Sequence, residues 1–133
     1  VERGAVAGFE RSAAIGAVVL ADGRRIAADA VVIAAGAHSA GLARMLGEPI
    51  PLETERGYHT QIMDPGLALR HSLIWPARAF MVSPTAGGIR VGGTVEMAGL
   101  AAAPDWRRAK VTVRRAREAL PRLQARQATE WMG

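Results

Sequence analysis

The 133-residue sequence contains no cysteine, which excludes a disulfide framework, a zinc site with cysteine ligands and a thiol nucleophile. Motifs with fixed spacing are missing as well: it has no HExxH zinc signature, no GxSxG around a serine and no GxGxxG dinucleotide turn. The three histidines, His38, His59 and His71, are too far apart for a metal-binding pair at helical spacing. We therefore predict no metal site.

Long apolar runs are also missing. The longest, residues 30–37, is far shorter than the roughly 20 residues that span a bilayer. No basic segment followed by an apolar one opens the sequence, so no signal peptide is visible. Half of the residues are hydrophobic and 22% are charged, so the chain can bury a core. Because it starts at Val1 rather than Met, in what reads as mid-strand sequence, we expect a soluble segment of a longer protein.

Positive charge is concentrated in one stretch. The formal net charge is +5, and residues 107–126 hold eight basic residues against one acid, Glu118. Joint enrichment in arginine and alanine is common in GC-rich genomes, and these charges lie opposite an apolar stripe, as on the solvated face of a helix. We therefore predict no nucleic-acid partner. The alternative is a stand-alone binding module that uses residues 105–126 to hold an anionic partner.

The first third of the sequence predicts strands. Residues 15–20 and 24–28 are separated by Asp22 and Gly23, a pair typical of a hairpin turn. Residues 30–35 form a continuous small and β-branched run that ends at Gly36, as in a strand buried on both faces. A short helix over residues 40–46, capped by Ser39, is expected to follow.

From residue 50 onward the sequence predicts an antiparallel sheet and one long helix. The strand candidates are residues 52–63, 73–75, 79–83, 89–95 and 127–132. A helix over 105–120 is expected, with Asp105 as its N-cap and Pro121 at its end. Its apolar stripe comprises Trp106, Ala109, Val113, Ala116, Leu120 and Leu123. The predicted fold class is α+β, with an N-terminal β-meander.

Three short segments are candidate sites. The first is Ala34, Ala35 and Gly36, where a strand ending in small residues lets a bulky ligand approach the backbone, although an ordinary strand-to-helix turn is equally consistent.

The second segment, residues 56–59, places a guanidinium, a phenol and an imidazole in an apolar strand. Alternation puts Arg56 and Tyr58 on one face and Gly57 and His59 on the other. Tyr58 could contact a substrate or be a buried structural tyrosine. The third segment, residues 87–93, is rich in glycine and predicts a hairpin turn and a strand that other backbone approaches closely.

Residues 21–39, ADGRRIAADAVVIAAGAHS, resemble the later part of the FAD-binding domain in the D-amino-acid oxidase superfamily, and in particular its D-amino-acid dehydrogenase small-subunit branch. The downstream segments resemble the substrate domain and the last flavin-contacting segment of that superfamily in the same order. They are residues 51–59, 90–99, 105–121 and 131–133.

The resemblance implies a cofactor, a reaction and a domain division. FAD would accept hydride from the carbon that bears the amine of a D-amino or related imino acid, and the imine would hydrolyse to a 2-oxo acid. Residues 1–47 would be part of the FAD-binding domain, and residues 48–133 the substrate-domain sheet with its helix. The electron acceptor would be oxygen or a membrane quinone chain. The expected location is the bacterial cytoplasm, with association at the inner face of the membrane as the alternative.

The resemblance also assigns residues. Ala34, Ala35 and Gly36 would lie close to FAD. Arg56, Tyr58, His59, Gly93 and Thr94 would lie on the substrate side, with Gly92 nearby, and Arg56 would support that wall or the substrate carboxylate.

The dinucleotide fingerprint of the family, and the Arg-Pro pair whose arginine holds the substrate carboxylate in relatives, match nothing in the sequence. We therefore expect an inactive fragment that does not hold FAD tightly and whose exposed strand edges favour dimerisation or strand exchange.

Overall fold

The computed structural model describes residues 1–11 and 15–133. The chain divides into two compact units, Val1–Glu53 and Thr54–Gly133, close to the domain boundary predicted after residue 47. The assignment of the first unit to FAD binding and of the second to substrate binding stays a prediction. Among the described residues, no helix is long and apolar enough to cross a membrane.

The first unit contains a three-stranded antiparallel meander. Its strands β1 (Val6–Arg11), β2 (Ile15–Leu20) and β3 (Arg25–Ala27) lie in sequence order. The chain turns between β2 and β3 at Gly23, which has a φ of +86°. Glycine adopts this conformation without strain, so the predicted Asp22-Gly23 hairpin is confirmed.

The strand predicted over residues 30–35 is wrong. Residues 28–35 form no strand, and Val32 is 87% exposed. A strand buried on both faces needs neighbouring strands and covering layers, and the described part of this unit supplies neither for this segment. The predicted cap is also wrong: helix α1 (Ser39–Met45) includes Ser39, whose hydroxyl accepts a hydrogen bond from the Ala35 N–H (3.1 Å).

The second unit is a five-stranded antiparallel sheet with one long helix. Its strands are β4 (Arg56–Ile62), β5 (Leu73–Trp75), β6 (Phe80–Thr85), β7 (Gly88–Glu96) and β8 (Ala128–Met132), in the order β5-β6-β7-β4-β8. Helix α2 (Arg107–Ala119) packs on one face against β4, β6 and β7. The predicted α+β class, with antiparallel sheets and a β-meander, is confirmed.

The core of the second unit lies between α2 and the sheet. Its buried members are Ile62, Phe80, Val82, Ile89, Val91, Ala116 and Leu123. The helix begins two residues later than predicted, at Arg107, and its N-cap is Trp106 rather than the predicted Asp105. Asp105 Oδ1 nevertheless accepts a hydrogen bond from the Arg107 N–H (3.2 Å). It ends at Ala119, just before Leu120 and Pro121, as expected where proline removes a backbone donor.

A β-bulge in β7 sets which side chains face the helix. Across β4, Tyr58 pairs with Thr94 while His59 pairs with Gly92, so Gly93 is an extra residue without a partner on β4. The extra residue reverses the alternation along β7. Val91 faces α2 before the bulge, and Thr94 and Glu96 share the face of their β4 partners Tyr58 and Arg56 after it.

Gly93 cannot be replaced without strain. Its φ is +143°, and a Cβ atom built on it would lie 2.5 Å from Phe80 Cα and 2.7 Å from the Ala79 carbonyl oxygen. These backbone atoms cannot move aside cheaply, so the close approach predicted for the glycine-rich segment is confirmed at this residue.

We predict that Gly93→Ala lowers the free energy of unfolding by at least about 3 kcal/mol, through backbone strain and steric overlap together. Gly99→Ala is the matched control, because Gly99 has a φ of +65° but nothing within 4 Å of a built Cβ. We expect a cost of only about 1 kcal/mol there. All three tryptophans lie in the second unit, so urea unfolding followed by their fluorescence reports this unit. Equal losses in the two variants would contradict the prediction.

Candidate functional site

A buried polar cluster lies between the sheet and the start of α2. The Glu96 carboxylate Oε2 accepts hydrogen bonds from Arg56 Nη2 (2.9 Å) and from the Tyr58 hydroxyl (2.5 Å). The same hydroxyl accepts a hydrogen bond from the Asp105 N–H (2.9 Å), and Arg56 Nη1 donates to the Ala102 carbonyl (2.6 Å). The Glu96 carboxylate thus links β7 to β4, and Arg56 and Tyr58 link β4 to the segment that leads into the helix.

Arg56 and Tyr58 are both buried in this cluster. Tyr58 is fully buried, and its ring makes an edge-to-face contact with Trp106 at 5.9 Å. Arg56 is 6% exposed. Buried ion pairs of this kind tolerate the loss of one partner poorly, because the remaining charge has no solvent to stabilise it. Both residues therefore lie on the helix-covered face of the sheet, opposite His59.

We predict that Glu96→Ala costs about 3–5 kcal/mol of unfolding free energy, because it leaves the Arg56 charge unpaired in a buried site. Glu118→Ala is the matched control, since it breaks the exposed Glu118–Arg78 pair (2.7 Å) and should cost less than about 1 kcal/mol. Urea unfolding monitored by tryptophan fluorescence measures both. A Glu96→Ala variant as stable as Glu118→Ala would show that the cluster does not hold the fold.

The opposite face of the sheet, here called the open face, carries no helix in the described second unit. His59 stacks on Trp131 with ring centroids 4.3 Å apart and an angle of 20° between the planes. The Arg90 guanidinium lies over the Trp131 ring, 5.2 Å from the ring centroid. The two rings and the guanidinium come from three adjacent strands, β4, β8 and β7.

A cleft of about 270 Å³ opens beside this group of side chains. It is lined by His59, Met81, Ser83, Pro84, Thr85 and Arg90. The segment 56–59 pointed to His59, but Arg90 and Trp131 were not among the predicted site residues. Along their strands, the exposed Arg90 and Trp131 alternate with more buried neighbours, and this alternation shows on which face of the sheet each side chain lies. Only the pairing of β4 with β7 and β8 brings them to His59.

Two effects lower the pKa of His59 below its ordinary value of 6.5. Partial burial of the ring is the larger, and the positive charge of Arg90 is the second. His59 is therefore neutral at physiological pH. Because its native pKa is depressed, its contribution to stability is complete above about 6.5 and is lost as the pH falls through the native pKa.

We predict that Arg90→Gln raises the pKa of His59 towards 6.5 without reaching it, since burial remains. The His59 ring signals in an NMR titration measure this shift. Arg126→Gln, at an exposed position on the segment after α2, is the control and should leave the pKa unchanged. An unchanged pKa in Arg90→Gln would show that the two groups do not interact.

The two remaining predicted substrate-side residues lie at the bulge. Gly93 forms the bulge itself, and Thr94 lies beyond it on the helix-covered face, opposite Tyr58. The Thr94 hydroxyl is buried, and no described residue forms a hydrogen bond with it. The structure thus places Arg56, Tyr58 and Thr94 on one face and His59 on the other, with Gly93 between them in the backbone.

The three residues predicted near the cofactor lie together in the first unit. Ala34, Ala35 and Gly36 are exposed, and the turn is held by hydrogen bonds from the Ala35 N–H to Ser39 and from the His38 N–H to the Ala35 carbonyl (3.1 Å). Ala35 lines a cleft of about 480 Å³, whose other residues are Gly4, Ala5, Val6, His38, Gly41, Leu42 and Met45.

This cleft fits part of a cofactor such as FAD in two respects. Small side chains on its walls leave the backbone accessible, and the apolar residues around them suit contact with a flat aromatic ring. A Cβ on Gly36 would meet nothing within 4 Å, so its φ of +54°, rather than lack of space, requires glycine there. No group of three His, Cys, Asp or Glu side chains among the described residues could hold a metal ion.

The basic stretch after residue 105 is partly used within the fold. Arg107 pairs with Asp105 (2.8 Å), Arg108 Nη1 donates to the Val95 carbonyl (3.1 Å), and Arg115 Nη1 donates to the Arg78 carbonyl (3.0 Å). Lys110, Arg114 and Arg117 line a separate cleft of about 530 Å³ that also contains Glu118 and Glu130. The solvated helix face without a nucleic-acid partner stays the prediction, and a binding module that holds an anionic partner stays the alternative.

Comparison with known proteins decides the family. A model of the FAD dependent oxidoreductase family, DAO, matches residues 1–133. This chain belongs to the DAO family. A D-amino-acid oxidase of Bradyrhizobium diazoefficiens is 47% identical over 93 residues, which are 70% of this chain and 22% of that protein. An uncharacterised oxidoreductase of Halorhodospira halophila is 35% identical over 100 residues, 74% of this chain and 46% of that protein.

Solved structures share the fold of this DAO-family chain. Glycine oxidase from Bacillus cereus superposes with a TM-score of 0.72 at 18% identity, over 99% of this chain and 37% of that one. L-Proline dehydrogenase from P. horikoshii gives 0.74 at 20% identity, over 99% and 38%. The predicted superfamily is confirmed. The chain spans less than half the length of these relatives, and the expected inactivity of the 133 residues alone stays a prediction.

Proposed function

We propose that this chain serves an FAD-dependent oxidoreductase, a dehydrogenase or oxidase, that converts a D-amino acid or a related imino acid to its imine. Membership of the DAO family and the 47% identity to a D-amino-acid oxidase support the reaction class. The observation in the structure that carries the proposal is the open face of the second unit. There the neutral His59, stacked on Trp131, borders a cleft of amino-acid size.

We assign different tasks to the two faces of the sheet. On the open face, His59 lines the substrate cleft, and Trp131 restrains the imidazole by stacking on it. On the opposite face, Arg56 and Tyr58 fix the strand that carries His59 by binding Glu96. The last two therefore act as positioning residues behind the substrate wall, and Thr94 and Gly93 set the bulge between the faces.

FAD, when bound, supplies the two-electron acceptor for the hydride that leaves the substrate carbon. We propose that Ala34, Ala35 and Gly36 contact it through their accessible backbone and small side chains. The residues of this chain then bind and orient. They leave the redox step to the cofactor, so the lack of a nucleophilic cysteine or a metal cluster among the described residues is compatible with the activity.

The full-length, FAD-loaded protein that contains this chain tests the reaction directly, because the 133 residues alone are expected to be inactive. Under anaerobic conditions, a D-amino acid such as D-alanine should bleach the yellow flavin absorbance and release a 2-oxo acid, while L-alanine should leave the absorbance unchanged. A panel of D-amino and imino acids allows for side-chain selectivity. If no member of the panel reduces the flavin, the proposed reaction is wrong.

A variant tests the cofactor contact separately. Ala35→Phe places a large ring in the cleft of the first unit and should weaken FAD binding by at least about tenfold, in line with the cost of overfilling a packed site. Ala37→Phe is the matched control, because Ala37 is exposed and does not line this cleft. FAD titration of the full-length apoprotein, followed by flavin fluorescence, measures the affinity of both variants. Equal affinities would place the cofactor elsewhere.

A further inference from the structure

A second cleft of the second unit lies on the helix-covered side of the sheet, opposite the open face. It has a volume of about 530 Å³ and lies between helix α2 and β8, an edge strand of the described sheet. We call it the α2–β8 cleft. Its lining residues are Lys110, Val113, Arg114, Arg117 and Glu118 from α2, Thr60 from β4, Ala128 and Glu130 from β8, and Ala125 from the segment between α2 and β8.

Three cations form the α2 wall of this cleft. Lys110, Arg114 and Arg117 follow one another at spacings of four and three residues, so they stand on one side of the helix. Like charges at such spacings destabilise a helix. Glu118 could offset them, but its carboxylate is already paired with Arg78 (2.7 Å). No carboxylate in the described part of the chain forms an ion pair with any of the three cations.

A buried hydroxyl also lines the cleft. Thr60 is only 2% exposed, and its Oγ1 atom has no hydrogen-bond partner among the described residues. Buried polar groups in folded proteins are nearly always hydrogen-bonded, because an unpaired one is unfavourable. The Thr60 hydroxyl can donate to an oxygen atom of a ligand that enters the cleft. This hydroxyl distinguishes the cleft from the solvated face of an ordinary amphipathic helix.

The β8 wall carries the opposite charge. Glu130 pairs with Thr60 across the β4–β8 ladder, so the two side chains share the helix-covered face. Within the described residues, no lysine or arginine forms an ion pair with the Glu130 carboxylate. A carboxylate only accepts hydrogen bonds, so it suits the hydroxyl or amino groups of a ligand. The two walls thus carry opposite charges that no ion pair joins.

We propose that the α2–β8 cleft binds a small phosphorylated molecule that also carries hydroxyl or amino groups. Its phosphate lies against Lys110, Arg114 and Arg117, because arginine and lysine side chains bind phosphate through charge-assisted hydrogen bonds. Its hydroxyl or amino groups donate to Glu130. A volume of about 530 Å³ is typical of a small-molecule site. The site lies on the face opposite His59, so this inference does not depend on the proposed flavin reaction.

Isothermal titration calorimetry on the full-length, FAD-loaded protein that contains this chain tests the proposal without any reaction. The probes are ribose 5-phosphate, ribose and inorganic phosphate. We expect ribose 5-phosphate to bind saturably and at least about tenfold more tightly than ribose, which lacks the charge-assisted hydrogen bonds of a phosphate. Inorganic phosphate should also bind more weakly than ribose 5-phosphate, since it lacks the sugar hydroxyls that reach Glu130.

Variants locate the binding. Arg114→Gln should lower the affinity for ribose 5-phosphate at least about tenfold, because Arg114 stands between the other two cations. Arg126→Gln is the matched control: it removes an exposed arginine that does not line the cleft, and it should leave the affinity unchanged. Arg114 is also exposed, so its replacement should not disturb folding.

Two further variants test the other polar groups. Thr60→Val keeps the shape of the side chain and removes the donor, so the affinity for ribose 5-phosphate should fall about threefold or more. Glu130→Gln should narrow the difference in affinity between ribose 5-phosphate and inorganic phosphate, because an amide oxygen binds hydroxyl donors more weakly than a carboxylate does.

Four results would overturn the inference. They are no saturable binding of ribose 5-phosphate, equal binding of ribose and ribose 5-phosphate, equal affinities of Arg114→Gln and Arg126→Gln, or an unchanged difference between the two phosphates in Glu130→Gln. An acidic protein segment that fills the cleft in the full-length protein would produce the first of these results.

Discussion

The extra residue in β7 is the constraint on which the second unit depends. If β7 were regular and residue 93 had a partner on β4, strict alternation would turn Thr94 and Glu96 to the open face. With it, Glu96 reaches Arg56 and Tyr58 beneath the helix, while Gly92 stays on the open face under His59. Only glycine fits at the bulge, because Phe80 and Ala79 approach its α-carbon from the neighbouring strand. The bulge at Gly93 therefore determines which side chains of β7 lie on each face of the sheet.

The two faces use polar groups in opposite ways. Beneath the helix, Arg56, Tyr58 and Glu96 satisfy one another in a site that solvent barely reaches, so their contribution is to hold α2 and the sheet together. On the open face, Arg90 has an aromatic ring beside it rather than a carboxylate. The buried, paired groups of Arg56, Tyr58 and Glu96 stabilise the fold. Arg90 is exposed and has no acidic partner among the described residues.

Features set by neighbouring residues could be predicted from the sequence. The Asp22-Gly23 turn needs only local backbone freedom, and the stripe of α2 and the alternation along β4 follow from local periodicity. The short extended segments between turns likewise predicted an antiparallel sheet with a covering helix. These elements required no knowledge of which strand pairs with which.

Features that depend on distant residues could not be predicted from the sequence. Residues 30–35 have the composition of a buried strand, but such a strand needs partners that no local pattern reveals. The group formed by His59, Trp131 and Arg90 arises from the pairing of three strands far apart in sequence. The glycines of β7 indicated a close backbone approach, yet the sequence does not show that the bulge reverses the faces beyond it. Alternation along β4 put Arg56 and Tyr58 on the face opposite His59, whereas the family resemblance assigned all three residues to the substrate side.

We propose that the substrate lies on the open face, while the helix-covered face stabilises the fold. A crystal structure of the FAD-loaded protein with a small bound carboxylate tests it most directly. We predict that the ligand lies in the cleft of the open face, in contact with His59. A carboxylate bound at Arg56 or Tyr58 instead, with the open face buried by other parts of the protein, would contradict it.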